Sequence, residues 1–202
     1  MGDAGTGGTS GGVEAVVRTA VATLYSNLVT RPTGQAVRCA IEEQVEENRC
    51  RCLSILDFSH VGVLDYSCAD EVIAKLLSKY MRPDRPSDCF FVVQGVSEHH
   101  RDQIDAVLHR HNLLLVAIES GRPALLGPAP ARLRRAWNCL DEMGRAVTDE
   151  FASARGLNHV TAGAWLRRLV DRRIAVTDGQ DCFSSLPAIV DRPVGPESLP
   201  AL

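Results

Sequence analysis

Two periodicities alternate along residues 13–127. Short apolar runs, "RCLSILDF", "CFFVVQG" and "LLLVAIES", have the length and the β-branched or aromatic content of buried strands. Between them, apolar residues recur every three or four positions. "TGQAVRCAIEEQVEE" puts Ala36, Val37, Ala40, Ile41 and Val45 on one helical stripe, with Thr33 as its N-cap. "CADEVIAKLLSKYM" does so with Val72, Ile73, Leu76, Leu77 and Tyr80. "SEHHRDQIDAVLHRHN" does so with Ile104, Val107 and Leu108, behind an N-cap at Ser97. "RPALLG" is a short closing strand, "SHVGVLDY" a short edge or corner segment, and "RPDRPSD" a loop by its prolines. Val13 to Leu28 is apolar with an ambiguous period, a strand pair or an early helix. Helices alternating with apolar strands predict a mainly parallel sheet covered by helices.

"PAPA", residues 128–131, marks a linker, and the pattern changes beyond it. "ARLRRAWNCLDEMG", "AVTDEFASARG" and "HVTAGAWLRRLVDRRI" predict three successive helices, and Asp178-Gly179 signals a tight hairpin after them. Three helices and a hairpin predict a winged helix-turn-helix domain over residues 132–186. "FASARGLNHVTAGAWLRRLVDRRIAV" resembles the helix-turn-helix of winged-helix regulators, with Gly156 at the turn and Ala162, Leu166, Leu169 and Ile174 on the buried side. On the outward face the spacing places His159, Thr161, Gly163 and Ala164, and Gly and Ala cannot hydrogen-bond to base edges. Arg167, Arg168, Arg172 and Arg173 are candidate phosphate contacts, while Asp178 and Asp181 at the hairpin tip would repel DNA. Trp165 falls off the buried stripe, so it is either an exposed anchor for a protein contact or packs on the first helix of its own domain. Duplex DNA and protein stand as equal alternatives for this domain, with self-association among the latter.

Charge and cysteine content remove some classes. The net charge of −3 does not point to nucleic acid for the chain as a whole. Residues 1–128 carry 12 basic and 16 acidic side chains, against nine arginines and seven acids in 129–186. The second domain is thus mildly basic, short of a strong electrostatic footprint. Seven cysteines include no Cys-x-x-Cys pair, so neither a metal site nor a cofactor is expected. Residues 1–12 read as a flexible glycine-rich tail and 187–202 as a loosely ordered proline-rich one. Neither a signal-peptide pattern nor an apolar run near the ~20 residues that span a bilayer occurs, so a cytoplasmic location without membrane contact is expected.

"SILDFSHVGVLDYSCADEVIAKLL" resembles the STAS domain family, the anti-sigma-factor antagonists. The shared features are an apolar strand ending in Asp57, a corner with Val61 and Val63, then Asp65-Tyr66-Ser67-Cys68, then an apolar helix. Ala69-Asp70-Glu71 after the corner, and the helix "TRPTGQAVRCAIEE" before the strand, bring it nearer the STAS-like branch. The resemblance covers roughly residues 29–127. It implies an α/β STAS-like sheet covered by helices, joined here to a C-terminal winged-helix domain. It also implies a non-enzymatic regulatory adaptor of the partner-switching type, of bacterial kind. Its partner would be a histidine-kinase-like ATPase or an anti-sigma factor, met by Asp65, Tyr66, Ser67, Asp70 and Glu71. Tyr66 stands where the family has its first hydroxyl residue and Cys68 where it has glycine, which leaves Ser67 as the candidate phospho-acceptor or as a plain N-cap. The alternatives are a DNA-binding transcription regulator whose first domain senses a ligand or dimerises, and an enzyme using Cys68 as nucleophile with His60 as base.

Overall fold

A computed structural model describes residues 12–191. Residues 1–11 of the expected N-terminal tail and 192–202 of the C-terminal one lie outside the described residues. The fold is α/β, with a five-stranded sheet flanked by helices. Its strands are β1 (Ala15–Ala20), β3 (Cys52–Asp57), β5 (Cys89–Gln94), β6 (Leu115–Glu119) and β7 (Arg122–Leu126), in the order β1-β3-β5-β6-β7. The first four are parallel and β7 returns antiparallel to β6. The ambiguous run 13–28 divides into β1, a single helical turn α1 (Val21–Leu24) and a two-residue strand β2 (Asn27–Leu28).

Two local expectations are corrected. Helix α2 (Arg31–Glu47) begins before Thr33: the Thr30 hydroxyl accepts from the Thr33 amide at 3.3 Å and is the N-cap. Pro32 then falls in the first turn, where a missing N–H costs no hydrogen bond. Asp57 ends β3, and Asp65 follows a strand that is not an edge of the main sheet. Strand β4 (Val63–Leu64) leaves the main sheet and pairs with β2 in a separate parallel ribbon. The Gly62 amide, bonded to the Ser26 carbonyl, holds it there.

The next helix is continuous from Tyr66 to Met81. It comprises α3 (Tyr66–Ala69), a π-helical segment (Asp70–Lys75) and α4 (Leu76–Met81). Helix α5 (Glu98–His111) follows β5, capped by Ser97 as expected. His100 is buried and completes the capping box.

The C-terminal part contains α6 (Ala131–Met143), β8 (Arg145–Val147), α7 (Thr148–Arg155), α8 (His159–Asp171), β9 (Ala175–Thr177), β10 (Cys182–Ser185) and α9 (Leu186–Val190). Strands β8, β10 and β9 form an antiparallel sheet in that order. Helix α7 stops at Gly156, whose φ of +60° is the left-handed turn that only glycine adopts without strain. Pro187, placed at the start of the loose tail by its sequence, lies in the first turn of α9, and Leu186 and Ile189 are buried. A proline early in a helix removes an amide that needs no partner, so it begins α9 rather than a tail.

Side-chain alternation gives the main sheet two apolar faces. Leu56, Phe91 and Val93 face the layer of α2, the 66–81 helix and α5. Leu53, Ile55, Phe90 and Val92 face the other way and share one buried cluster with Leu133, Trp137, Leu140, Phe151 and Leu166 of the C-terminal part. Arginines close the junction. Arg173 bonds Asp88 at 2.7 Å and the Cys89 carbonyl at 2.5 Å, with its guanidinium 3.9 Å from the Phe90 ring centre. Arg51 reaches the Thr177 carbonyl at 2.7 Å, Arg172 the Asn112 carbonyl at 2.7 Å, and Arg134 the Leu125 carbonyl at 2.5 Å.

This shared core makes a prediction. Phe90→Ala should cost about 3–5 kcal/mol, the usual range for a buried phenylalanine. Because Phe90 belongs to both halves, amides of β5 and of α8 should lose hydrogen-exchange protection together. Unchanged protection in α8 would contradict a common core.

Candidate functional site

The corner singled out by the sequence is built by a helix cap. Asp65 accepts the Cys68 amide at 2.7 Å and is the N-cap of α3, which displaces the reading of Ser67 as cap. Ser67 lies inside the first turn, and its hydroxyl donates to the same carboxylate at 2.9 Å. A carboxylate accepts charge-assisted bonds more strongly than a hydroxyl does, so the aspartate takes the cap. Asp65, Tyr66 and Ser67 are half-buried and reach solvent. The Tyr66 hydroxyl lies 3.3 Å from Arg110 of α5.

Asp70 and Glu71 do not share that exposure. They are 8% and 2% exposed, which removes them from any docking surface. A buried carboxylate must be matched by cations, and here the neighbouring helices supply them. Arg31, the first residue of α2, bonds Asp70 at 3.0 Å and Glu71 at 2.9 Å. His111 approaches Asp70 at 2.8 Å, and Lys75 bonds Glu71 at 2.5 Å. Arg38 adds a contact to Glu71 at 3.5 Å and bonds Glu42 at 2.7 Å, and Lys79 bonds Glu42 and Glu46 at 3.0 Å. Burial pushes both carboxyls up. Hydrogen bonds outweigh it, from Arg31 and His111 on Asp70 and from Lys75 and Arg31 on Glu71, and hold both below the usual range. The π-helical segment coincides with these residues, and such segments mark irregular, often functional, helix stretches. The close approach of α2 needs Gly34, where a Cβ would lie 2.9 Å from the Cys68 Cα.

Cys68 is buried and its thiol donates to the Thr30 carbonyl at 2.9 Å. Burial, with the nearby Asp65 carboxylate, pushes that thiol up to about 11. His60 is exposed on the loop after β3, and no hydrogen bond among the described residues joins it to Cys68. Nucleophilic chemistry needs a thiolate beside a base, and this arrangement supplies neither. Asp57 has a local role at the end of β3: it accepts the Ser59 amide at 2.9 Å, the Ser59 hydroxyl at 2.6 Å and the Gln94 amide at 2.9 Å.

On the C-terminal part, the tertiary contacts redistribute the residues expected on one reading face. Arg173 turns to the main sheet and Arg172 to the C-terminal end of α5, as given above. Gly163 is buried rather than outward, against Thr148 and Arg167. Trp165 is half-buried against the shared core, with Arg168 5.7 Å from its ring centre. His159, Val160, Ala164, Arg167 and Arg168 remain exposed, and Thr161 is half-buried. His159 is paired with Asp149 at 2.6 Å. The hairpin aspartates are used internally, Asp178 toward Arg145 at 3.3 Å and Asp181 toward the Thr148 hydroxyl.

Most partners of the buried carboxylates were missed by sequence reasoning. Glu71 and Lys75, four apart on one helix, were a legible pair. Arg31 and His111 lie 40 residues from Glu71 and 41 from Asp70, and no local pattern connects them. Among the described residues no group of three or more His, Cys, Asp or Glu could hold a metal, and no helix is long and apolar enough to cross a membrane. No protein-family profile matches this chain, and no curated protein sequence matches it.

The network sets a pH dependence. Asp70 and Glu71 have depressed folded values, so their stabilisation is present above their unfolded values, near 3.8 and 4.5, and is lost as pH falls through the folded ones. Urea midpoints of the wild type should therefore fall on acidification below about pH 5. Asp70→Asn should lower the midpoint at neutral pH and flatten this acid limb. An acid limb of unchanged steepness in the variant would remove Asp70 from the account.

Proposed function

We propose that the chain is a non-enzymatic regulatory adaptor of the partner-switching type, with a STAS-like first domain and a C-terminal winged helix. Its partner surface is the Asp65–Tyr66–Ser67 corner, flanked by Arg31 and Arg110. The partner is a histidine-kinase-like ATPase or an anti-sigma factor. One observation carries this reading: the Ser67 hydroxyl reaches solvent and bonds the carboxylate that caps the helix. A phosphate on Ser67 adds close to two negative charges within hydrogen-bond range of Asp65. Repulsion between them would strip the cap from the Cys68 amide and change the corner's shape and charge together. The signal is thus converted locally, without a change of fold.

The test is a photo-crosslinking benzophenone amino acid at position 66 in the native host. A discrete crosslinked partner is expected, lost on adding Ser67→Glu, with complex affinity falling tenfold or more, about 1.4 kcal/mol. A partner captured equally well with Ser67→Glu would remove Ser67 as the switch.

A second reading, a DNA-binding regulator, is favoured by the helix–turn–helix of α7, Gly156 and α8, followed by the β9–β10 hairpin. The exposed cations of α8 are Arg167 and Arg168, since Arg172 and Arg173 just after it bond the Asn112 and Cys89 carbonyls. Each neutralised phosphate contributes about −0.9 to the log–log salt slope. Duplex DNA binding by the full chain should therefore be weak, insensitive to sequence and shallow in salt, as read by fluorescence anisotropy. Nanomolar, sequence-selective binding at physiological salt would promote the DNA reading.

A further inference from the structure

Six large apolar side chains are exposed among the described residues, and four of them belong to the β2–β4 ribbon and the turn that leads into it. Leu24, Tyr25, Val29 and Val63 are 37–49% exposed. Asn27 and Val63 are register partners, so their side chains share one face of the ribbon, and Val29 follows two residues after Asn27. The opposite face carries Leu28 and Leu64, both fully buried. The ribbon's packing on the core is thus complete without Val29 and Val63. The Asp65 amide bonds the Leu28 carbonyl at 2.8 Å, which joins the ribbon directly to the Asp65–Tyr66–Ser67 corner. Two cations stand beside it. Arg31, two residues after Val29, keeps a half-exposed side chain while bonding Asp70 and Glu71. Arg110 is exposed, lies 3.3 Å from the Tyr66 hydroxyl, and forms no ion pair among the described residues.

We propose that the outer face of the β2–β4 ribbon and the corner form one docking surface for a protein segment that combines apolar side chains with a carboxylate. The apolar side chains sit on Tyr25, Val29 and Val63, and the carboxylate meets Arg110 and Arg31. This names the chemistry of the partner in the reading above and rests on that reading. An exposed apolar patch with a polar rim has the anatomy of a protein interface. The acidic character of the segment follows from the charges on the rim. Asp65 is engaged as the helix cap, and Asp70 and Glu71 are buried, so the exposed charges beside the ribbon are Arg31 and Arg110. The same charges give the proposed switch its sign. A phosphate on Ser67 would bring close to two negative charges to the place where the carboxylate docks, repelling it and competing for the same guanidinium groups. A basic segment would be attracted by that phosphate and could not be released by it.

The benzophenone amino acid is placed at position 29 or at position 63 of the full-length chain in the native host, in parallel with position 66. Both sites should capture the protein captured from position 66. Digestion should map each link to a partner segment with an aspartate or glutamate within about four residues, one helical turn. Affinity is then measured with the two purified proteins. Arg110→Glu should weaken the complex about tenfold or more. Replacing the partner's acidic residue by arginine should recover most of that loss, which a misfolded variant could not do. Capture from position 66 that fails at 29 or 63 overturns the inference and leaves the partner-switching reading standing, whereas no capture from any of the three positions overturns both. A second copy of this chain linked at 29 or 63, a basic partner segment, or unchanged affinity in Arg110→Glu also overturns it.

Discussion

The structure depends on a sheet whose two faces are both apolar. Side chains alternate along β3 and β5, and the helices that follow the parallel strands cover one face only. The second face must be buried by something else. The C-terminal part does this, so that the segments on either side of the proline-rich linker share one of the two buried clusters. Desolvating the large apolar side chains on that face, at about 25 cal/mol per Å² of area, is the main term holding the halves together. The arginines at the junction contribute direction more than energy. Arg51, Arg134 and Arg173 satisfy part-buried backbone carbonyls, while the Arg172 bond to the Asn112 carbonyl is exposed.

Carboxylates with several cationic neighbours organise two regions of the fold. Asp88 gathers Arg51, Arg85 and Arg173 at the junction. Asp70 and Glu71 gather Arg31, Lys75, His111 and Arg38 beneath the corner. Such groups are costly to desolvate and costlier to leave unmatched, so each fixes the relative position of the elements that supply its partners. The first orients the C-terminal part on the sheet. The second fixes α2 and α5 around the π-helical segment, and thereby the frame in which Tyr66 and Ser67 reach solvent. Rigidity below the corner matters for the proposed switch. A phosphate on Ser67 can act on the Asp65 cap because the helix behind it is pinned.

The same packing narrows the role of α8. A helix followed by two arginines that bond other elements offers fewer cations to a phosphate backbone than its sequence suggests. What stays exposed is short and mixed, with His159 already paired and Val160 apolar. That surface suits a limited contact.

Much was legible from local pattern. Strands β3, β5 and β6, the three helices of the first layer, the Ser97 cap and the Asp178-Gly179 turn follow from periodicity and capping chemistry, which act within a few residues. The corner was legible too, because Asp–x–Ser before an apolar helix is a local signal. What remained hidden was set by contacts between distant residues. The sequence cannot say that β4 leaves the main sheet for β2, since both strands have only two residues. It cannot say that Asp70 and Glu71 are buried, because their hydrogen-bond partners come from α2 and α5 as well as from their own helix. Nor can it say that Gly163 faces inward while Arg172 turns to the end of α5 and Arg173 to the sheet. In sequence, an arginine that bonds a phosphate and one that bonds a carbonyl are the same residue. The tertiary structure decides between them, because only packing brings the Asn112 and Cys89 carbonyls within reach of these side chains.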